Sequence, residues 1–188
     1  CFLIRNNGAC SLLVLLVSAT CVLADGWTPD HFPMKEGHTW IYRYRVRFGQ
    51  GPEVESLRVK SVRLDVDRAF GGRCHLLSDP RGDDYAFRSD EEGLFVEGEV
   101  KPDGQVVKFD PPMAYVTKTM DVGQPVESTH QTVEGEVRGL AERLGREDVE
   151  VPAGRFSDCL INRFTYWRGS NGFSIENAFA RGVGPVRR

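Results

Sequence analysis

Between residues 149 and 188 the sequence reads as strands and turns only, and that stretch narrows the fold more than any other feature. Val151-Pro152-Ala153-Gly154 has proline to preset the first corner of a type I turn and glycine for the left-handed residue after it. Asn171-Gly172 is the dipeptide most favoured in a two-residue type I′ hairpin, which needs positive φ at both loop positions. With Asn171-Gly172 as the loop, one face pairs Leu160 with Val183, Asn162 with Arg181, Phe164 with Phe179 and Tyr166 with Asn177. The other face pairs Ile161 with Gly182, Arg163 with Ala180, Thr165 with Ala178 and Trp167 with Glu176. The first face has the bulk of a core. The second is lined by small residues, so another strand, a loop, a ligand or a partner must cover it.

The same rhythm runs upstream. From 38 to 48, Trp40, Tyr42, Tyr44, Val46 and Phe48 share one face, while Arg43, Arg45 and Arg47 share the other. The arginine row reads first as a solvated face and second as a seat for an anionic partner. Gly49-Gln50-Gly51-Pro52 turns the chain into a strand over 53–67. Its apolar parity changes from Leu57 and Val59 to Val62, Leu64 and Val66, which predicts a β-bulge near Lys60-Ser61. Gly71-Gly72 leads into a short strand with Cys74, Leu76 and Leu77. Further strands are predicted over 85–89, 93–100 and 105–109. The stretch 132–144 is the one place for a short helix, yet Gly135, Gly139 and Gly145 favour a twisted, bulged strand. About nine to eleven strands at regular spacing predict an all-β fold. The expected architecture is a single-domain antiparallel meander that must curl, into a curled sheet or half-barrel, to bury its apolar face.

Residues 1–24 read as a secretory signal peptide: Arg5 precedes an apolar run through Leu12-Leu13-Val14-Leu15-Leu16-Val17, and Val22 and Ala24 fit a small-residue cleavage site. The expected mature part is then one β-rich domain over 25–188, in a secreted, periplasmic or envelope setting. Membrane association is expected only if this segment is retained as an anchor or if Cys21, after Ser18-Ala19-Thr20, is lipidated. Beyond residue 24 only Cys74 and Cys159 remain, and they read equally as a disulfide or as two small buried strand residues.

At 188 residues and a formal net charge of -3, with both signs interspersed, the chain lacks the basic face of a nucleic-acid binder. Arg81-Gly82-Asp83 is a tripeptide too short to carry meaning, and its acidic surroundings miss the spacing of a calcium loop. No nucleophile elbow, phosphate loop or dinucleotide fingerprint occurs. His31, His38, His75 and His130 are scattered, so neither a metal site nor a catalytic triad is expected, and no cofactor is implied.

Three stretches resemble a known group: Phe32-Pro33-Met34-Lys35-Glu36-Gly37-His38-Thr39-Trp40-x-Tyr42, Val151-Pro152-Ala153-Gly154-x-Phe156-x-x-Cys159, and Phe179-Ala180-Arg181-Gly182-Val183-Gly184. They are similar to motifs of widespread uncharacterised bacterial secreted proteins and lipoproteins. The resemblance implies an exported β-sheet domain, similar in outline to the curved half-barrels of periplasmic lipoprotein carriers, with no catalytic residues to transfer. Pro185 replaces the apolar strand residue usual in that group, which leaves the length of the last strand open.

The expected function is a non-enzymatic binding domain taking a lipid-like or apolar ligand. Trp40, Tyr42, Tyr44, Arg163 and Trp167, with Phe164 and Tyr166, are its candidate lining. The alternative is an envelope-associated structural or protein-interaction module, with an unrecognised hydrolase as a third reading.

Overall fold

A computed structural model describes residues 26–47, 53–65, 70, 74–78, 84–132 and 134–187; the side chains of 43–47 and 53–65 are not described. Residues 1–25, with the expected signal peptide, the turns at 49–52 and 71–72, Arg81-Gly82-Asp83, and the side chains of Arg43, Tyr44, Arg45 and Arg47 lie outside these residues.

Period-two patterning becomes strand throughout. In chain order these are β1 (Thr39–Arg47), β2 (Glu53–Asp65), β3 (Cys74–Ser78), β4 (Asp84–Asp90), β5 (Gly93–Val100), β6 (Val106–Thr117), β7 (Val126–Thr132), β8 (Gly135–Val151), β9 (Gly154–Arg168), β10 (Asn171–Ala180) and β11 (Gly184–Arg187). Every strand pair is antiparallel, as short turn-rich connections require. The strands form two sheets, β1-β2-β3-β4-β5-β6 and β11-β10-β9-β8-β7, which are not closed into a barrel. The fold is therefore all-β. The stretch 132–144 contributes the start of β8, whose register shifts between Arg143 and Gly145 and again between Glu147 and Val149.

The sheets face each other across one core. Leu77, Phe87, Leu94, Val96, Phe109, Met113 and Tyr115 come from the first sheet, and Val137, Ala141, Leu160, Phe164, Tyr166 and Phe179 from the second. Tyr115 stacks on Phe164 with ring centroids 4.4 Å apart. Close approach matters at Gly139, where a Cβ would stand 2.4 Å from Met113 Sδ. Amid these apolar residues, Asn162 Nδ2 donates to the Tyr115 carbonyl at 2.9 Å, and Asn177 Nδ2 donates to the Tyr115 hydroxyl at 2.8 Å.

The segment before β1 is a buried hook. Pro29–His31 forms one 3₁₀ turn, and Trp27 and Phe32 enter the core. Phe32 packs against Trp40 and Phe87 of the first sheet and Phe179 of the second, at centroid distances of 5.2, 5.9 and 5.9 Å. Burying side chains of this size stabilises by on the order of 2–3 kcal/mol each. Trp27 Nε1 donates to the Asp90 carbonyl at 3.0 Å, Gly182 N to the Asp30 carbonyl at 2.7 Å, and Arg146 Nη2 to the Gly26 carbonyl at 3.1 Å. On the side where β1 meets β11, Trp40 Nε1 donates to the Val183 carbonyl at 2.8 Å and the Tyr42 hydroxyl to the Pro185 carbonyl at 2.8 Å. β11 is accordingly short, and its proline sits in an edge strand, where a missing N–H is tolerated.

Two register expectations are corrected. The loop between β9 and β10 is Gly169-Ser170, and Asn171 opens β10 opposite Arg168. Gly169 has φ of +55° while Ser170 is not left-handed, the type II′ pattern with glycine in first position. The register is displaced by four residues, so Phe179 opposes Leu160 rather than Phe164. An even displacement leaves every side chain on its expected face. In β2 there is no bulge at Lys60-Ser61: residues 53–61 pair with β1 and 61–65 with β3. The change of apolar parity coincides with this change of neighbour, and 53–60 with β1 form a two-stranded ribbon.

Candidate functional site

The residues singled out as a ligand lining are not brought together. Trp40 is a core residue, stacked on His38 at 4.5 Å and fastened to the Val183 carbonyl. Tyr42 is half-buried at the same seam, and Tyr44 lies in the ribbon, where side chains are not described. Phe164 and Tyr166 point into the core between the sheets. Arg163 and Trp167 point to the opposite, outer face of the second sheet.

That outer face satisfies itself. Glu142, Arg163 and Glu176 are direct cross-strand partners, and the Arg163 guanidinium lies 3.2 Å from each carboxylate. Arg187 continues the row to Glu176 at 3.3 Å and Glu147 at 2.7 Å. Exposed pairs of this kind contribute a few tenths of a kcal/mol each, so the row sets register more than stability. Trp167 lies between Arg138, whose guanidinium is 5.1 Å from the indole centroid, and Gly172 directly opposite. The small-residue face is covered by the protein itself: Leu144, Val149, Val151, Phe156 and Val186 pack on Ile161, Ala178 and Ala180.

Cys159 belongs to this outer cluster, whereas Cys74 packs with Phe70, Leu76 and Ala86 on the first sheet. No disulfide joins them. Burial pushes the Cys159 thiol above its ordinary pKa, and nearby Asp148 and Asp158 add to the shift, the reverse of what a reactive thiolate needs.

The four histidines occupy separate elements. His31 is buried in the hook, its Nδ1 within 3.0 Å of Thr28 N and its ring stacked on Trp27 at 5.6 Å. Desolvation lowers its pKa to about 4, and Arg146 and Arg181 oppose its charging further. His130 stacks on Phe109 at 5.4 Å; burial lowers its pKa, partly offset by Asp110. Burial also lowers His75, partly offset by Glu36. Among the described residues no group of three His, Cys, Asp or Glu side chains could hold a metal ion.

The arrangement with chemical capacity lies elsewhere, at one end of the sandwich. A cleft of about 230 Å³ is lined by Tyr85 and Glu99, which oppose each other across β4 and β5, by Lys101, and by Tyr166, Arg168, Asn171, Gly172 and Phe173 of the β9–β10 hairpin. Tyr166 and Phe173 are cross-strand partners stacked at 5.2 Å, and Phe173 remains 42 % exposed. Glu99 is buried and binds the Arg168 guanidinium directly, with Lys101 Nζ 3.1 Å from the same carboxylate oxygen. Glu134 closes the group, bound to Arg168 and 3.6 Å from Lys101 Nζ. Arg168 Nη2 also donates to the Tyr166 hydroxyl at 2.9 Å.

Two carboxylates and two cations therefore interlock beside an aromatic platform. The named oxygens of Glu99 and Glu134 each already face a guanidinium and an ammonium, which suits holding and orienting a ligand better than moving protons. Sequence reading missed this group, because its members lie on β5, just after it, on β9 and just before β8, and look individually like surface charges. The accessible signal was Arg168, which continues the inward parity of Leu160, Asn162, Phe164 and Tyr166. No family model, curated protein or solved structure matches the chain.

Proposed function

We propose that the chain is an exported, non-enzymatic β domain that recognises a component of the cell envelope or its surroundings, and that recognition uses the cleft at the open end of the sandwich. The observation that carries this reading is the exposed Phe173 ring, stacked on the buried Tyr166, beside the interlocked Glu99–Lys101–Glu134–Arg168 group. Exposed aromatics next to preorganised charges are what binding sites concentrate, while both carboxylates are committed to cations rather than poised for acid–base work. An interaction role is favoured over a lipid carrier because Trp40, Phe164 and Tyr166, the aromatics offered for an apolar concavity, pack into the core between the sheets. The hydrophobic export segment at 1–24 supports the location.

Hydrogen–deuterium exchange on the chain mixed with a fractionated envelope extract tests this. Protection is expected over 99–101 and 166–173. Protection confined to the β1–β2 ribbon, or turnover in a broad hydrolase panel, would overturn the reading.

A further inference from the structure

We propose that the cleft seats one ring of a neutral saccharide, an inference that rests on the cleft being the recognition site. Charge comes first. Glu99 in the lining and Glu134, outside it and bound to Lys101 and Arg168, match the two cations, so the four-member ionic group carries no net charge. A phosphate or sulfate would meet cations already matched to carboxylates, and an ammonium ligand would meet carboxylates already matched to cations. An alkyl chain would strip water from these groups and return no hydrogen bond.

A hydroxyl differs from all three, since it donates one hydrogen bond and accepts two. Several hydroxyls on one ring can interleave with the alternating donors and acceptors of Arg168, Glu99 and Lys101 without separating the ion pairs. Asn171, exposed at the start of β10, adds an amide that also donates and accepts.

The aromatic side fits the same ligand. Phe173, stacked on Tyr166 and open to solvent, offers a flat ring whose negative face attracts the polarised C–H groups of a sugar's apolar side. Size limits the occupant: at about 230 Å³ the cleft is smaller than the roughly 300–1,000 Å³ of pockets that enclose a whole ligand. It accommodates a terminal ring or a branch, with the rest of the chain outside.

Calorimetric titration of the full chain with cello-, xylo-, malto- and N-acetylglucosamine oligosaccharides tests this, with heparin hexasaccharide and an acidic peptide as comparators. The expected result is saturable binding of at least one neutral oligosaccharide, insensitive to salt. It should weaken roughly tenfold in Phe173→Ser, the scale of one lost aromatic contact. Asn171→Ala should weaken it as well. Both positions are exposed, and an unchanged urea midpoint confirms that each variant is folded. Absence of saturable binding across the neutral panel overturns the saccharide. Preference for heparin or the peptide, lost in Phe173→Ser, also overturns the saccharide but retains the cleft. Binding that neither substitution weakens overturns the cleft as well.

Discussion

Replacing Tyr115 by phenylalanine removes one oxygen from the middle of the molecule and nothing else. The ring keeps its stack on Phe164 at 4.4 Å and its edge contact with Phe87 at 5.8 Å. Asn162 keeps its bond to the residue 115 carbonyl, because that acceptor is backbone. What disappears is the acceptor for Asn177 Nδ2, 2.8 Å away, and Asn177 is 1 % exposed, so water does not readily replace it. A buried donor left without its partner costs about 1–3 kcal/mol, more than the bond itself contributes net. In equilibrium urea unfolding this corresponds to a midpoint lowered by about 1 M at constant slope. The discriminating measurement is a double-mutant cycle with Asn177→Leu. With both polar partners replaced by apolar groups, much of the loss should return, giving a coupling of about 1 kcal/mol or more. A Tyr115→Phe loss below about 0.3 kcal/mol, or a coupling indistinguishable from zero, would refute the account of Asn177 as a satisfied core amide.

Acid should loosen the hook. His31 has a folded pKa of about 4 against an ordinary 6.5, so its contribution is fully present above 6.5 and is lost as pH falls toward 4, reaching about 3 kcal/mol. The urea midpoint should fall across that window and fall less in His31→Gln; an equal fall in both would reject the assignment. Gly139→Ala forces a methyl against Met113 Sδ and should cost about 1–3 kcal/mol in thermal unfolding, partly restored by Met113→Val; unchanged melting would mean the sheets are less tightly apposed than described. With its thiol buried and its pKa raised, Cys159 should react with Ellman's reagent only as fast as the protein opens, whereas a rapid native-state reaction would place it at the surface.

Strand content was legible because period-two alternation is local, and β1, β9 and β10 announce it residue by residue. Facing was legible too, even in the hairpin whose register was not. Asn171-Gly172 carries the stronger intrinsic turn preference, yet Gly169-Ser170 lets Tyr166 stack on Phe173 and sets Leu160 opposite Phe179. Tertiary contacts outweighed a turn propensity that both dipeptides partly satisfy. The hook was hidden for the opposite reason: Trp27 precedes Pro29, and His31 and Phe32 lie between Pro29 and Pro33, with no period to reveal burial. The four-member ionic group was least legible, since Glu99 and Arg168 meet only when two sheets sixty-nine residues apart in sequence face each other.

The hook also fixes how the molecule bears load. A pull applied at residue 26 does not reach β1, the next strand in sequence, until the anchors at Arg146, Asp90 and Gly182 have given way. Those anchors lie on β8, β4 and the turn before β11, so tension entering at one point is divided between both sheets. Trp27 and Phe32 must also leave the core together, with an aromatic ring on each side of the break. A chain held by its N-terminal end is thereby loaded through its centre rather than peeled from an edge, and its rupture force should drop sharply when Phe32 alone is truncated to alanine.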